Sequence, residues 1–78
     1  MNPARYYLRT GGSPERPLTL LRRIRRPGGG VTEQVLRRDL RWHPTELFLV
    51  HARTGEFDLA EITADRAAEL VEAWRAAR

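Results

Sequence analysis

The residues with the clearest chemical potential in this sequence are arginines. Between residues 22 and 41 the chain has seven arginines against two acidic residues, Glu33 and Asp39. Guanidinium groups form charge-assisted hydrogen bonds with phosphates and carboxylates. This concentration therefore predicts a surface that binds a partner, and the phosphates of a nucleic acid are one candidate. The predicted binding residues are Arg22, Arg23, Arg25, Arg26, Arg37, Arg38 and Arg41.

The same arginines have a second interpretation. Charged side chains on an extended hairpin keep an edge strand from pairing with other chains, so the hairpin is then solvated or contacts protein. Nucleic-acid binding would gain from aromatic faces on which bases stack, and Tyr6, Tyr7 and Trp42 offer such faces if they are exposed. The sequence leaves both interpretations open.

Histidines give little support for a metal site. His43 and His51 are the only histidines, and the chain has no cysteine. A zinc site with three protein ligands would need a carboxylate such as that of Glu46. We therefore expect no metal and no cofactor.

Catalytic groups are equally sparse. Ser13 is the only serine, and no base is placed to activate it. Glu56, Asp58 and Glu61 lie close in sequence, but they fall in a predicted turn and a short strand, where solvated acids are normal. We expect no catalytic residue, no small-molecule substrate and a protein that is not an enzyme.

Length and composition define the class of protein. A chain of 78 residues predicts a single small domain over 1–78 with a thin core. No apolar run approaches the roughly 20 residues that a membrane span needs, and the first five residues lack the apolar stretch of a signal peptide. Without cysteines for disulfides, the expected location is the cytoplasm, with no membrane contact.

The N-terminal half reads as strands separated by turns. Glycine and proline clusters at 11–14 and 27–30 predict turns. Between and around them, strands are expected at Arg5–Arg9, Leu18–Arg26 and Val31–Trp42. Leu18, Leu20 and Ile24 would share one face of the second strand, and Leu36, Leu40 and Trp42 one face of the third. The last two strands would form a hairpin with Arg37, Arg38 and Arg41 opposite the first four arginines. A helix over Glu33–Arg41 is the competing interpretation.

The C-terminal half predicts two helices around a strand. Thr45 is a candidate cap for a short helix that ends at Gly55 and buries the face shared by Leu47, Phe48, His51 and Ala52. A strand over 47–50 is the alternative. A strand follows at Leu59–Ile62. Thr63 then caps a helix whose buried stripe is formed by Ala67, Leu70, Val71 and Trp74. The fold class is α+β: a small antiparallel sheet, in the order of about β-β-β-α-β-α, packed against a C-terminal amphipathic helix.

Several short segments resemble those of small uncharacterised actinobacterial proteins. They are the strand Tyr6-Tyr7-Leu8, the string Trp42-His43-Pro44-Thr45, the turn 55–58 and the segment 59–63 that leads into the capped C-terminal helix. The resemblance implies a strand-rich N-terminal half and two helices, and it implies no activity. The run of arginines over 22–26 is denser than is typical of such proteins.

These observations favour a small non-enzymatic interaction module. It would bind a protein partner, or itself as a homo-oligomer, through an exposed sheet edge, the basic hairpin or the C-terminal helix. The alternative is a nucleic-acid-binding accessory protein that contacts phosphates through the arginine-rich hairpin 22–41.

Overall fold

A computed structural model describes residues 4–10, 19–55 and 57–77. Five antiparallel strands form one sheet in the order β4-β3-β2-β1-β5, and two helices pack against it. The predicted α+β class, with a C-terminal helix on an antiparallel sheet, is confirmed, with one strand more than expected. The elements are β1 Ala4–Thr10, β2 Thr19–Arg25, β3 Val31–Leu36, β4 Trp42–Pro44, α1 Leu47–Thr54, β5 Asp58–Ile62 and α2 Ala64–Ala76.

The predicted hairpin joins β2 to β3. Leu21 pairs with Val35 and Arg25 with Val31, and the turn 27–30 lies between the strands. Its three glycines have φ values of 83°, 96° and 88°, in a region that other residues rarely adopt. The glycine cluster therefore determines where the hairpin turns. The other predicted turn, at 11–14, and Leu18 lie outside the described residues.

The third strand is shorter than predicted. β3 ends at Leu36, and the chain reverses through residues 37–41, where the amide of Leu40 donates to the carbonyl of Arg37 at 2.8 Å. The single strand Val31–Trp42 is therefore wrong in extent, and the competing helix Glu33–Arg41 is also wrong. The apolar pattern was misleading because Leu36, Leu40 and Trp42 do reach one core cluster, but Leu40 reaches it from a turn.

The core has two halves, one on each face of the sheet. Leu20 and Leu36 lie on the face that α2 covers, where they pack with Ala67. Leu21 and Val35 lie on the opposite face and pack with Phe48 of α1. Successive side chains of a strand point to opposite faces, so the two leucines of β2 anchor different halves. Both are fully buried.

Helix α1 confirms the helical interpretation of its segment over the strand alternative. The Thr45 hydroxyl accepts a hydrogen bond from the Leu47 amide at 3.1 Å, although the N-cap is Glu46, one residue later than predicted. Gly55 ends the helix at φ 62°, and its amide donates to the His51 carbonyl. Ala52, expected on the buried face, is exposed.

Helix α2 has the predicted cap and stripe. The Thr63 hydroxyl accepts from the Arg66 amide at 3.1 Å. Ala67 is buried, and Val71 and Trp74 pack against the same cluster while remaining half-buried. Leu70 is also half-buried. The helix is therefore fixed by one capping bond at its start and by apolar contacts along one side.

The central strand gives a direct test of this core. Leu20→Ala should lower the free energy of unfolding by about 2–5 kcal/mol, because it removes a fully buried side chain and leaves a cavity. For a domain of this size, a loss of that magnitude lowers the Tm by at least about 8 °C. Thermal unfolding followed by circular dichroism measures the shift.

The matched control is Leu49→Ala on α1, where the same substitution removes a side chain that is 48% exposed. Its effect should stay within about 0.5 kcal/mol. Equal losses in the two variants would contradict the assignment of Leu20 to the core.

Candidate interaction surfaces

The first arginine of β2 is held by the sheet itself. Arg22 Nε donates to Gln34 Oε1 at 2.7 Å, and its guanidinium carbon lies 4.2 Å from the centroid of the Trp42 ring. Both partners lie on the face that α2 covers. A guanidinium stacked on an aromatic face is favourable because the ring quadrupole attracts the cation.

Arg23 is held in the same way on the opposite face. Its Nε and Nη2 lie 2.9 Å and 2.8 Å from Glu33 Oε2, and its guanidinium carbon lies 4.5 Å from the Phe48 ring centroid. Arg22 and Arg23 therefore lie on opposite faces of the sheet. These two side chains cover aromatic groups of the protein's own core, a role that sequence alone did not reveal.

The predicted stacking residues are also part of the packing. Tyr6 and Trp42 have ring centroids 6.1 Å apart, and Tyr7 meets Phe48 edge-on at 5.4 Å. All three predicted residues, Tyr6, Tyr7 and Trp42, are half-buried. None is a fully exposed platform for a base.

The other five candidate arginines form two separate groups. Arg25 and Arg26 at the β2–β3 end are the hairpin cluster, and Arg37, Arg38 and Arg41 at the β3–β4 end are the turn cluster. All five are exposed, and within the described part of the chain no acidic side chain pairs with them. The length of β3, about 17 Å at 3.4 Å per residue, separates the two clusters.

The turn cluster corrects the sequence prediction. Arg37, Arg38 and Arg41 were expected on the strand opposite Arg22–Arg26, and this placement is wrong because β3 ends at Leu36. The predicted continuous basic hairpin is therefore two clusters at opposite ends of one strand.

The turn is rigidly built. Asp39 Oδ1 accepts from the Arg41 amide at 2.9 Å, and Asp39 Oδ2 lies 2.9 Å from His43 Nε2. Leu40 has φ 60°, a conformation that costs a non-glycine residue about 1–2 kcal/mol, and its side chain packs against the core. The aspartate, a common turn residue, is the signal that sequence reasoning missed here.

The two edges of the sheet differ. β4 is three residues long and ends in Pro44, which has no amide hydrogen to offer a further strand. β5 is five residues long, Asp58–Ile62, and contains no proline. Its inner side pairs with β1, and Glu61 lies 3.8 Å from Arg5. Among the described residues, no strand pairs with the outer side of β5, and this edge is longer than that of β4.

Other groups considered from the sequence are dispersed. His43 bonds Asp39 in the β3–β4 turn, and the His51 ring lies 5.4 Å from that of Phe57. Among residues 4–10, 19–55 and 57–77, no three His, Cys, Asp or Glu side chains are grouped closely enough to hold a metal ion. Asp58 and Glu61 point to opposite faces of β5, because they are three residues apart. Ser13 and Glu56 lie outside the described residues.

Comparisons with known proteins give no match for this chain. No family model, curated protein or solved structure matches the chain. No helix in the described ranges is both long enough and apolar enough to cross a membrane. The cytoplasmic location stays a prediction.

The β3–β4 turn should respond to acid. The Arg41 amide, and next the hydrogen bond with His43, hold the pKa of the Asp39 carboxyl below its ordinary value of 3.8. A lowered folded-state pKa means that the carboxylate stabilises the turn above pH 3.8 and that this contribution disappears as the pH falls through the folded-state pKa. Amide NMR shifts of Arg41 and His43 should therefore titrate with a midpoint below 3.8.

Asp39→Asn is the control, because it keeps the acceptor for the Arg41 amide and removes the titrating group. The acid transition at Arg41 should vanish in this variant. A midpoint at or above 3.8 in the parent, or an unchanged transition in Asp39→Asn, would contradict the assignment.

Proposed function

We propose that this protein is a non-enzymatic interaction module that binds an extended segment of a partner protein by strand addition to β5. The observation that supports the proposal most directly is the inequality of the two sheet edges. Sheets usually block their edges with short strands, prolines or bulges. β4 has two of these features, and β5 has none of them. The charged side chains of β5, Asp58 and Glu61, oppose the addition of an acidic strand but not of a basic one.

The charge of β5 indicates the kind of segment. Asp58 and Glu61 are both exposed, and Glu61 already lies 3.8 Å from Arg5 of β1. The negative charge of Asp58 in particular makes a basic extended segment suit this edge better than an acidic one, because opposite charges on neighbouring strands stabilise the pair. Backbone hydrogen bonds supply affinity in this mode, and alternate side chains supply specificity.

A second copy of the chain is a different partner, because its own β5 is acidic and not basic. An antiparallel β5–β5 pair centred on Ala60 places Glu61 opposite Leu59 and Asp58 opposite Ile62. No two acidic side chains then face each other directly, so like-charge repulsion between direct neighbours is avoided. Such a contact is isologous and closes as a two-fold dimer.

Strand addition can be tested with short peptides. The probe is acetyl-Arg-Val-Arg-Val-Arg-amide, with acetyl-Glu-Val-Glu-Val-Glu-amide as the charge control, and binding is followed by amide NMR shifts of the labelled protein. We expect the basic peptide to shift residues 58–62 and the acidic peptide to bind more weakly. Two versions of the basic peptide, methylated on complementary sets of alternate backbone nitrogens, locate the pairing side. One version should lose binding and the other should keep it, because only one side of an added strand pairs with β5.

Two outcomes would contradict the proposal: shifts that fall outside β5, and equal binding of both methylated peptides.

Sedimentation equilibrium of the parent and of Ala60→Lys then shows whether a second copy occupies the edge. A dimer formed through β5 should weaken in Ala60→Lys, since a charged residue on an edge strand opposes pairing.

Nucleic-acid binding is a second candidate, supported by a different observation. The hairpin cluster and the turn cluster expose five arginines that form no ion pair with an acidic side chain of the described residues, although Asp39 lies within the turn cluster. Such guanidiniums suit phosphates. This proposal leaves out Arg22 and Arg23, because each is half-buried on one face of the sheet, whereas the five cluster arginines are exposed.

The salt dependence of binding to a fluorescein-labelled DNA duplex tests this candidate. Arg37→Gln/Arg38→Gln should reduce the slope of log affinity against log salt by about two units, because two phosphate contacts are lost. The matched control is Arg66→Gln/Arg75→Gln on α2, which removes the same charge from arginines paired with Glu69 and Glu72. Equal effects of the two double variants, or no binding at physiological salt, would eliminate the candidate.

A further inference from the structure

A cleft of about 200 Å³ lies where α2 crosses the sheet. Its sheet side is formed by the rings of Tyr6 and Trp42, which are inclined at 56° to each other. Its helix side is formed by Ala64, Ala67, Ala68, Val71 and the exposed Glu72 at the rim. Five strands about 4.8 Å apart span about 19 Å, and a helix about 10 Å wide covers only half of them. The short alanine side chains leave the remaining gap unfilled.

The size of the cleft limits what it can hold. Pockets for drug-sized ligands and cofactors have volumes of about 300–1,000 Å³, so this cleft is too small for them. One large apolar side chain fits, and its burial between two aromatic rings and the alanine methyl groups is favourable. The cleft therefore suits a single anchoring residue of another chain.

The charge beside the cleft defines the rest of the ligand. Arg22 pairs directly with Tyr6 across the strands, and its guanidinium lies on Trp42, so it adjoins both aromatic walls. Its Nε is bonded to Gln34, while its terminal nitrogens have no acidic partner among the residues that the structure describes. The acid on the rim, Glu72, is already paired with Arg75 at 2.7 Å. The local field therefore favours a carboxylate.

We propose that this cleft binds the C-terminal residue of a partner protein, with its apolar side chain between Tyr6, Trp42 and α2 and its carboxylate on Arg22. A C-terminal residue is the occupant because it has a carboxylate on the same Cα as the side chain, and Arg22 immediately adjoins the cleft wall. Two guanidinium nitrogens can bind a carboxylate in parallel. The site lies on the α2-covered face, away from the open side of β5, so it does not depend on strand addition there.

Small ligands test the side chain and the carboxylate separately. N-acetyl-leucinate has both groups, N-acetyl-leucinamide has only the side chain, and acetate has only the carboxylate. With the full-length labelled chain, we expect saturable NMR shifts of Tyr6 and of the Trp42 indole N–H with N-acetyl-leucinate, at a Kd in the millimolar range typical of one side chain and one ion pair. The other two compounds should bind at least about fivefold more weakly, since each lacks one contact.

A matched pair of variants locates the site. Ala68→Leu fills the cleft from an exposed helix position and should weaken N-acetyl-leucinate binding at least about tenfold by steric exclusion. Ala73→Leu makes the same change at an exposed position of α2 outside the cleft and should leave the Kd within about twofold, as surface changes do. If Ala68→Leu does not fold, Ala64→Leu fills the same cleft from the first turn of α2.

Binding that is absent in the parent, equal for the acid and the amide, or unchanged when the cleft is filled would overturn the proposal. Peptide binding at β5 is measured on different amides and with different probes. The two proposals can therefore fail independently.

Discussion

Burial of two successive leucines in the central strand is the constraint on which the rest of the structure depends. Leu20 and Leu21 point to opposite faces of β2 and are both inaccessible to solvent. A single sheet can bury both only if each face has its own cover, so a chain of 78 residues needs a helix on each side. α2 covers Leu20 and α1 covers Leu21, and neither half of the core can be large.

The positions of Arg22 and Arg23 follow from the same alternation of side chains between the two faces of β2. Arg22 and Arg23 continue the pattern of the two leucines, so one guanidinium emerges on each face and lies on the aromatic residue that borders that half of the core. In the same way, the guanidinium carbon of Arg9 lies 4.3 Å from the centroid of the Phe57 ring. The long side chains act as polar covers over aromatic rings, combining apolar contact along the stem with a solvated head group. The arginines of the hairpin and turn clusters have no such aromatic neighbour among the ring contacts of the described residues.

The elements that could be predicted from the sequence are those that depend on the local chemistry of a few neighbouring residues. The Thr63 cap and the glycine turn each depend on the chemistry of one or two residues, so α2 and the β2–β3 hairpin could be predicted. The β3–β4 turn could not be predicted, because leucine disfavours the left-handed conformation that Leu40 adopts. Its packing against the core overrides that local preference. Charge counts likewise identified the arginine-rich segment, but they could not separate Arg22 and Arg23, held by the sheet, from exposed arginines such as Arg37.

The order of residues in β2, with two leucines followed by two arginines, also protects the fold against misalignment of this strand in the sheet. Sliding β2 by one residue exchanges the two faces, and sliding it by two preserves them. In one direction either error is costly, because a one-residue slip would bury Arg22 in place of Leu21 and a two-residue slip would bury both arginines in place of both leucines. In the other direction a slip of one or two residues would bury the hydroxyl group of Thr19. An unpaired buried cation costs several kcal/mol, a large share of the stability of a small domain. With Thr19 before the two leucines and two arginines after them, a slip of β2 by one or two residues in either direction would place a polar side chain in the core.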